Sequence, residues 1–120
     1  MPHHPVVHFE IGCKDRPATT DFYSKIFGWK ITDGGPASMI HTGDDKDISG
    51  HISALGHEPH NYVLYYIQVE DIESKLAEIE AAGGRTMIPK NPVHGMGYFA
   101  WFNDVAGNTL GLWTPDTGAA

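Results

Sequence analysis

Residues 15–28, with the sequence DRPATTDFYSKIFG, carry the signals of a complete helix. Asp15 can accept hydrogen bonds from the first backbone N–H groups, and Pro17 suits the first turn, where no intrahelical donor is needed. Gly28 can adopt the left-handed conformation that ends many helices. Between these ends, four apolar side chains recur at helical spacing and predict the buried face: Phe22, Tyr23, Ile26 and Phe27.

The same signals return in residues 71–84, DIESKLAEIEAAGG. The predicted caps Asp15 and Asp71 are 56 residues apart (71 − 15), and so are Gly28 and Gly84 (84 − 28). The inner stripe of this second helix is predicted to be Ile72, Leu76 and Ile79. Such an offset indicates an internal duplication.

One strand-like run precedes each predicted helix and three follow it. In the first half these runs are 6–13, 29–32, 37–42 and 48–54; in the second they are 62–69, 85–88, 97–103 and 109–114. The order is therefore βαβββ twice. We predict an α+β fold, with residues 1–120 forming a single domain of two modules at about 6–54 and 62–114.

Composition narrows the classes of partner. The chain has 120 residues, 41% of them apolar, and a net charge of −7 without any cluster of Lys or Arg. Nucleic acid and anionic membranes are therefore poor candidate partners. The start of the chain lacks signal-peptide features, and no apolar run is long enough to span a membrane. The lone Cys13 is expected to be a small core residue and fits a cytoplasmic location.

The duplicated pattern resembles the vicinal oxygen chelate superfamily, which includes glyoxalase I, bleomycin- and fosfomycin-resistance proteins and extradiol dioxygenases. The resemblance rests on Asp15 with the Asp21–Trp29 segment, on its repeat from Asp71 to Gly84, and on the turn Asp104-Val105-Ala106-Gly107-Asn108. It implies eight strands in two four-stranded halves, bent into an open cup. It also implies a small-molecule ligand, and short members are often homodimers.

The resemblance further implies a metal centre with one ligand from each of four strands, and here the sequence departs from it. His8 stands at the first-strand ligand position, but Leu64 and Gly111 stand at two others, and Ser49–Ile52 contains no carboxylate. Leucine and glycine offer no side-chain donor atoms, and a bound divalent ion ordinarily needs three or more protein ligands. We therefore predict no metal and no other cofactor.

His8 and Glu10 alternate with the apolar Val7, Phe9 and Ile11, so the two polar side chains share one face of the first strand. Three interpretations stay open for this pair: a partly exposed polar pair, a cavity pair that binds a ligand or acts as acid and base, and a metal site. His51 is a candidate neighbour of His8. His94 lies in the Pro/Gly-rich segment 89–97, which is predicted to be a loop.

Aromatic and polar residues of the second half complete the candidate site. Tyr66 and Gln68 share the face of Leu64, and Trp113 shares the face of Gly111, which would leave space where a ligand carboxylate stood. Trp101 is a further candidate whose face the alternation does not assign. The predicted function is small-molecule binding in an aromatic cup. It would serve either a metal-free, lyase-type enzyme using His8 and Glu10 as catalytic groups or a protein that sequesters a drug or metabolite.

Overall fold

The order of secondary structure repeats once along the chain. The computed structural model describes residues 3–54 and 61–120. Its first half contains β1 (Val6–Gly12), α1 (Arg16–Phe27), β2 (Lys30–Asp33), β3 (Ala37–His41) and β4 (Ser49–Ser53). Its second half contains β5 (Tyr62–Gln68), α2 (Ile72–Ala81), β6 (Arg85–Val93), β7 (Gly97–Asn103) and β8 (Thr109–Pro115). Within the described ranges this is an α+β fold with an open, mixed eight-stranded sheet, which confirms the predicted fold class.

The strands of each half pair in the same order. In the first half the order is β2-β3-β4-β1, with β1 parallel to β4 and the other pairs antiparallel. In the second half it is β6-β7-β8-β5, with β5 parallel to β8. The registers correspond as well, because Glu10 lies opposite His51 and Tyr66 lies opposite Gly111. The 56-residue offset therefore holds between equivalent positions of β1 and β5 (66 − 10), whereas equivalent positions of β4 and β8 lie 60 residues apart (111 − 51).

The chain divides into two compact units whose limits differ from the predicted modules. One unit is Val7–Leu64, and the other is Tyr65–Ala120 together with the residues up to Val6. Each has its own apolar cluster, the first around Ile40 and Ile52 and the second around Ala100 and Leu112. Within this second unit the carbonyl of Pro5 accepts a hydrogen bond of 2.8 Å from Gln68 N–H. Residues 55–60, which join the predicted modules, lie outside the described residues.

The ends of α1 agree with the sequence, but its buried face does not. Asp15 accepts a hydrogen bond of 3.0 Å from Ala18 N–H, and Gly28 adopts a left-handed φ of 69°. Of the predicted face, Phe22, Ile26 and Phe27 are 55%, 58% and 58% exposed. Only Tyr23 of that set packs against the core cluster of its unit.

The predicted apolar face of α1 is exposed because polar residues of the helix take part in its contact with the sheet. Arg16 and Thr20 both contact the Ser38 hydroxyl on β3, at 3.3 and 3.1 Å. Tyr23 continues this line at helical spacing and stacks on Trp29, with ring centroids 5.4 Å apart. Arg16, Thr20 and Tyr23 therefore form the face of α1 that contacts the sheet. The purely apolar face predicted from the sequence points toward solvent instead.

In α2 the predicted face is correct. Asp71 accepts a hydrogen bond of 3.1 Å from Ser74 N–H. Ile72 and Leu76 are buried in the cluster of the second unit, and Ile79 packs against it. Neither α1 nor α2, the helices of the described ranges, is long and apolar enough to cross a membrane.

The segment predicted as a loop around His94 is largely strand. β6 continues through Pro89 and Pro92 to Val93, with register shifts in its pairing to β7. Proline lacks a donor for the strand ladder, but an outer strand with bulges tolerates it. His94 instead lies in a short turn, so the prediction of a loop over the whole of residues 89–97 is wrong.

Candidate functional site

The alternation along β1 separates an apolar face from a polar one. Ile11 belongs to the apolar cluster of the first unit, and Phe9 packs against it together with Tyr23 of α1. Glu10 points the other way yet is only 2% exposed, while His8 is half-buried. The interpretation of this pair as a partly exposed polar surface is therefore wrong for Glu10. A carboxylate at this depth requires hydrogen-bonding partners.

His51 on β4 supplies one partner and connects Glu10 to His8. The parallel register places His51 opposite Glu10, and its Nε2 lies 3.3 Å from Glu10 Oε1. Its Nδ1 lies 2.7 Å from His8 Nε2, and the two imidazole rings stack with centroids 4.9 Å apart. The structure thus brings together the three residues His8, Glu10 and His51 that the sequence placed in the first half of the site.

Tyr62 is a site residue that the sequence analysis missed. Its hydroxyl donates a hydrogen bond to Glu10 Oε2. The ring lies over Gly12, where an added methyl group would collide with it. The available signal was parity, because Tyr62 is two residues before Leu64 and therefore shares its face of β5. Alternation within β5 could not show that this tyrosine would reach a carboxylate 52 positions earlier in the chain.

The surroundings shift the proton affinity of two of these groups. Burial raises the pKa of the Tyr62 hydroxyl, and the hydrogen bond and charge of Glu10 raise it further, so Tyr62 remains a neutral donor. Burial, followed by the charge of His51, lowers the pKa of His8 to about 4, while Glu10 acts in the opposite direction. His8 is therefore uncharged near neutral pH and can accept a proton.

Two hydrogen bonds, Tyr62–Glu10 and His51–His8, and the 3.3 Å contact between Glu10 and His51 connect these residues into one chain of contacts, Tyr62–Glu10–His51–His8. When Nε2 of a neutral His51 donates to Glu10, its Nδ1 must accept, and His8 Nε2 is then the donor. When His51 is protonated, both of its nitrogens donate and His8 accepts. A proton can thus pass between the two rings with little movement of heavy atoms.

A second polar and aromatic group lies in the other unit. Trp101 Nε1 donates a hydrogen bond of 2.9 Å to the Tyr66 hydroxyl, which assigns the face of Trp101 that alternation left open. The Tyr66 ring lies over Gly111, where an added methyl group would collide with it. The space that Gly111 was expected to leave is therefore occupied by Tyr66.

Gln68 and Trp113 lie opposite each other in the β5–β8 pairing, two residues beyond Tyr66 and Gly111. The period of two along a strand puts all four on one face of these strands. Their assignment to ligand binding stays a prediction.

The described residues do not fit the metal centre that the fold family implies. The nitrogens of His51 are directed at His8 and Glu10, and the remaining ligand positions, Leu64 and Gly111, have no donor atoms. Across residues 3–54 and 61–120, no group of three or more His, Cys, Asp or Glu side chains is arranged to hold a metal ion. We therefore derive no chemical step through a metal.

Comparisons with known proteins agree with this fold. The chain is 29% identical over 126 residues to a glyoxylase-like domain-containing protein of Didymella fabae, covering 91% of this chain and 96% of that protein. It is 26% identical over 123 residues to the anthracycline biosynthesis protein DnrV of Streptomyces peucetius, covering 88% of this chain. The chain spans 45% of DnrV, which is thus a considerably longer protein.

A solved structure and a family profile complete the comparison. A variant of Streptomyces coelicolor methylmalonyl-CoA epimerase, in complex with 2-nitronate-propionyl-CoA, superposes with a TM-score of 0.67 at 19% identity, covering 99% of each chain. At this identity the likeness concerns the fold alone. The profile of the Glyoxalase/Bleomycin resistance protein/Dioxygenase superfamily matches residues 6–112. The chain therefore belongs to the glyoxalase/bleomycin resistance protein/dioxygenase superfamily.

Proposed function

We propose that this protein is a small-molecule enzyme that catalyses proton transfer with His8 as its acid–base group and without a divalent metal. The observation that carries the proposal is the chain Tyr62–Glu10–His51–His8, which contains a carboxylate that is 2% exposed. A buried cluster of titratable groups is costly to fold, and such clusters are concentrated at functional sites.

The roles of the two predicted catalytic groups differ. Both oxygens of Glu10 are engaged, one by Tyr62 and one by His51, so the carboxylate is suited to stabilise positive charge on His51. His8 is half-buried and more exposed than Glu10, so it is the member proposed to meet the substrate. A lyase-type reaction that begins by removing a proton from carbon would use such a base.

The names of similar proteins suggest which substrate classes to screen. The methylmalonyl-CoA epimerase variant of similar fold was solved in complex with 2-nitronate-propionyl-CoA, and one relative is named an anthracycline biosynthesis protein. A thermal-shift screen should therefore include methylmalonyl-CoA, other acyl thioesters, anthracyclines and small carbonyl acids. Each ligand that stabilises the protein would then be incubated with it in D₂O and followed by NMR for C–H exchange or product.

The matched variants are His8→Asn and His41→Asn, since His41 is an exposed histidine of the same unit. The proposal expects exchange or turnover with wild-type protein and with His41→Asn, and a loss of at least about 100-fold with His8→Asn. A ligand that binds tightly but is unchanged by all three proteins would contradict enzyme function.

A second candidate is a protein that sequesters a drug or metabolite. The Tyr66–Trp101 pair favours it, since aromatic side chains with satisfied polar groups can form a rigid surface for stacking. Under this alternative, Trp113→Ala or Trp101→Phe would weaken ligand binding, His8→Asn would not, and the ligand would be recovered intact.

A cytoplasmic location and a homodimeric state stay predictions from the sequence. Light scattering of the purified protein tests the homodimeric state, and fractionation of the cells that produce it tests the cytoplasmic location.

A further inference from the structure

In the second unit, α2 packs against one face of the sheet, and an aromatic pair lies on the other face. Ala100 and Leu112 belong to the cluster under α2 and are 0% and 2% exposed. Phe99 and Trp113 are their neighbours along the chain and therefore point to the opposite face. The two aromatic residues lie opposite each other in the β7–β8 pairing, and both are half-buried, so this face is partly open to solvent.

The pairing with the flanking strands extends this pair into a row of four residues. Gln68 on β5 lies opposite Trp113, and Asn91 on β6 lies opposite Phe99. Since directly paired residues point to the same face, the order across the four strands is Gln68–Trp113–Phe99–Asn91. Each amide offers both a hydrogen-bond donor and an acceptor. The Asn91 amide is also held in place, because its Nδ2 donates a hydrogen bond of 2.9 Å to the carbonyl of Pro89.

We propose that this row binds an elongated, planar polycyclic aromatic ligand that carries polar groups at both ends. Its rings would stack on Trp113 and Phe99, and its end groups would bond to the two amides. Neighbouring strands lie about 4.8 Å apart, so the row spans about 14 Å, which suits fused rings better than a single ring. The inference rests on the proposed small-molecule function and names its ligand class.

Two glycines shape the surface on which such a ligand would lie. A methyl group at Gly97 would collide with the ring of Trp113, so the indole leans over β7 instead of standing away from the sheet. In the adjacent row, the ring of Tyr66 leans over Gly111 in the same way. Rings that lie low over the sheet form a broad apolar surface, and the face of a planar ligand can stack on such a surface.

The test compares two probes that share their end groups but differ in shape. 2,6-Dihydroxyanthraquinone is planar and has a hydroxyl group at each end, whereas bisphenol A carries two phenolic hydroxyls on a bent frame. Calorimetry with wild-type protein is expected to show saturable, one-to-one binding of the planar probe, at least about 10-fold tighter than that of the bent probe. Equal affinity for the two probes, or no saturable binding of the planar one, would overturn the inference.

Variants of the row show where the planar probe binds. Trp113→Leu and Phe99→Leu keep an apolar side chain but remove the ring, and each should weaken binding by about 5-fold or more. Gln68→Ala and Asn91→Ala each remove one hydrogen-bonding group and should weaken binding about 3- to 10-fold. The matched control is Tyr65→Leu, which changes an exposed aromatic residue on the other face of β5 and should leave the affinity unchanged. An affinity that none of the four row variants lowers would contradict the assignment.

The outcomes for this ligand class and for the proposed function are separable. The calorimetry needs no turnover, so a planar probe that binds to the row and stays intact would support the inference even if His8 catalyses nothing. Conversely, a substrate whose turnover depends on His8 but whose KM and kcat are unchanged in Trp113→Leu and Phe99→Leu would support the enzyme and contradict the inference. The comparison of the two probes uses wild-type protein alone, so it decides the question even if a variant fails to fold.

Discussion

A single histidine, His8, carries a clear pH dependence for stability. Its folded pKa of about 4 lies below the ordinary value of 6.5, so between these values the unfolded chain binds more protons than the folded one. The free energy of unfolding should therefore fall as the pH drops from 6.5 to 4. We expect His8 to account for about 1–2 kcal/mol of this fall, allowing for solvent screening at a half-buried ring.

Urea unfolding at pH 7, 5.5 and 4 measures this dependence. His8→Asn should lose less stability on acidification than wild-type protein, whereas His41→Asn, which changes an exposed ring, should follow wild type. Equal losses in wild type and His8→Asn would show that His8 is not buried in its neutral form.

Gly111 is a second residue with a defined packing role. A methyl group there would collide with the ring of Tyr66, and overpacking of this kind costs about 1–3 kcal/mol. We expect Gly111→Ala to lower stability by that amount and to disturb the Trp101–Tyr66 hydrogen bond, seen as a change in tryptophan fluorescence. In a Tyr66→Ala background the same change should cost much less. Equal costs in both backgrounds would contradict the contact.

At the scale of elements, only one narrow face of α1 packs against the sheet. Tyr23 packs against the core cluster and stacks on Trp29, whereas Ile26 is 58% exposed. We expect Tyr23→Ala to cost about 1–3 kcal/mol in urea unfolding and Ile26→Ser to stay within about 0.5 kcal/mol. A larger cost for Ile26→Ser would mean that the apolar face of α1 is covered in solution.

The ends of elements could be predicted from the sequence where their hydrogen bonds are local. The capping residues Asp15 and Asp71 are each recognised within four residues of sequence, because a cap bonds to its own first turn. The turn at Asp104 is equally local: its carboxylate accepts from Ala106 and Asn108 N–H. The hydrogen bonds from Asn108 are the main reason that the pKa of Asp104 is lowered.

At the scale of the whole molecule, the donor set predicts metal content. We expect untagged protein to contain well below one divalent ion per chain, because Leu64 and Gly111 remove two donors and His51 is directed at His8 and Glu10. Elemental analysis measures the content, and Zn²⁺, Ni²⁺ or Mn²⁺ should give no saturable thermal stabilisation. A content near one ion per chain that is lost in His8→Ala would restore a metal-dependent mechanism.

The sequence by itself determined the duplicated order of elements, the helix ends and the shared face of His8 and Glu10. Each of these follows from interactions within a turn or from the period of a single element. The buried position of Cys13 was predictable for a similar reason, since a small apolar side chain next to an apolar strand joins its core.

Tertiary structure alone decided the features on which the candidate site depends. The burial of Glu10, its contact with Tyr62 and the hydrogen bond of His8 with His51 join residues 52 and 43 positions apart. The face of α1 depends on Ser38 of β3, and the length of β6 depends on pairing with β7. Local periodicity shows which way a side chain points, but its partner is set by strand register, which only the folded chain fixes.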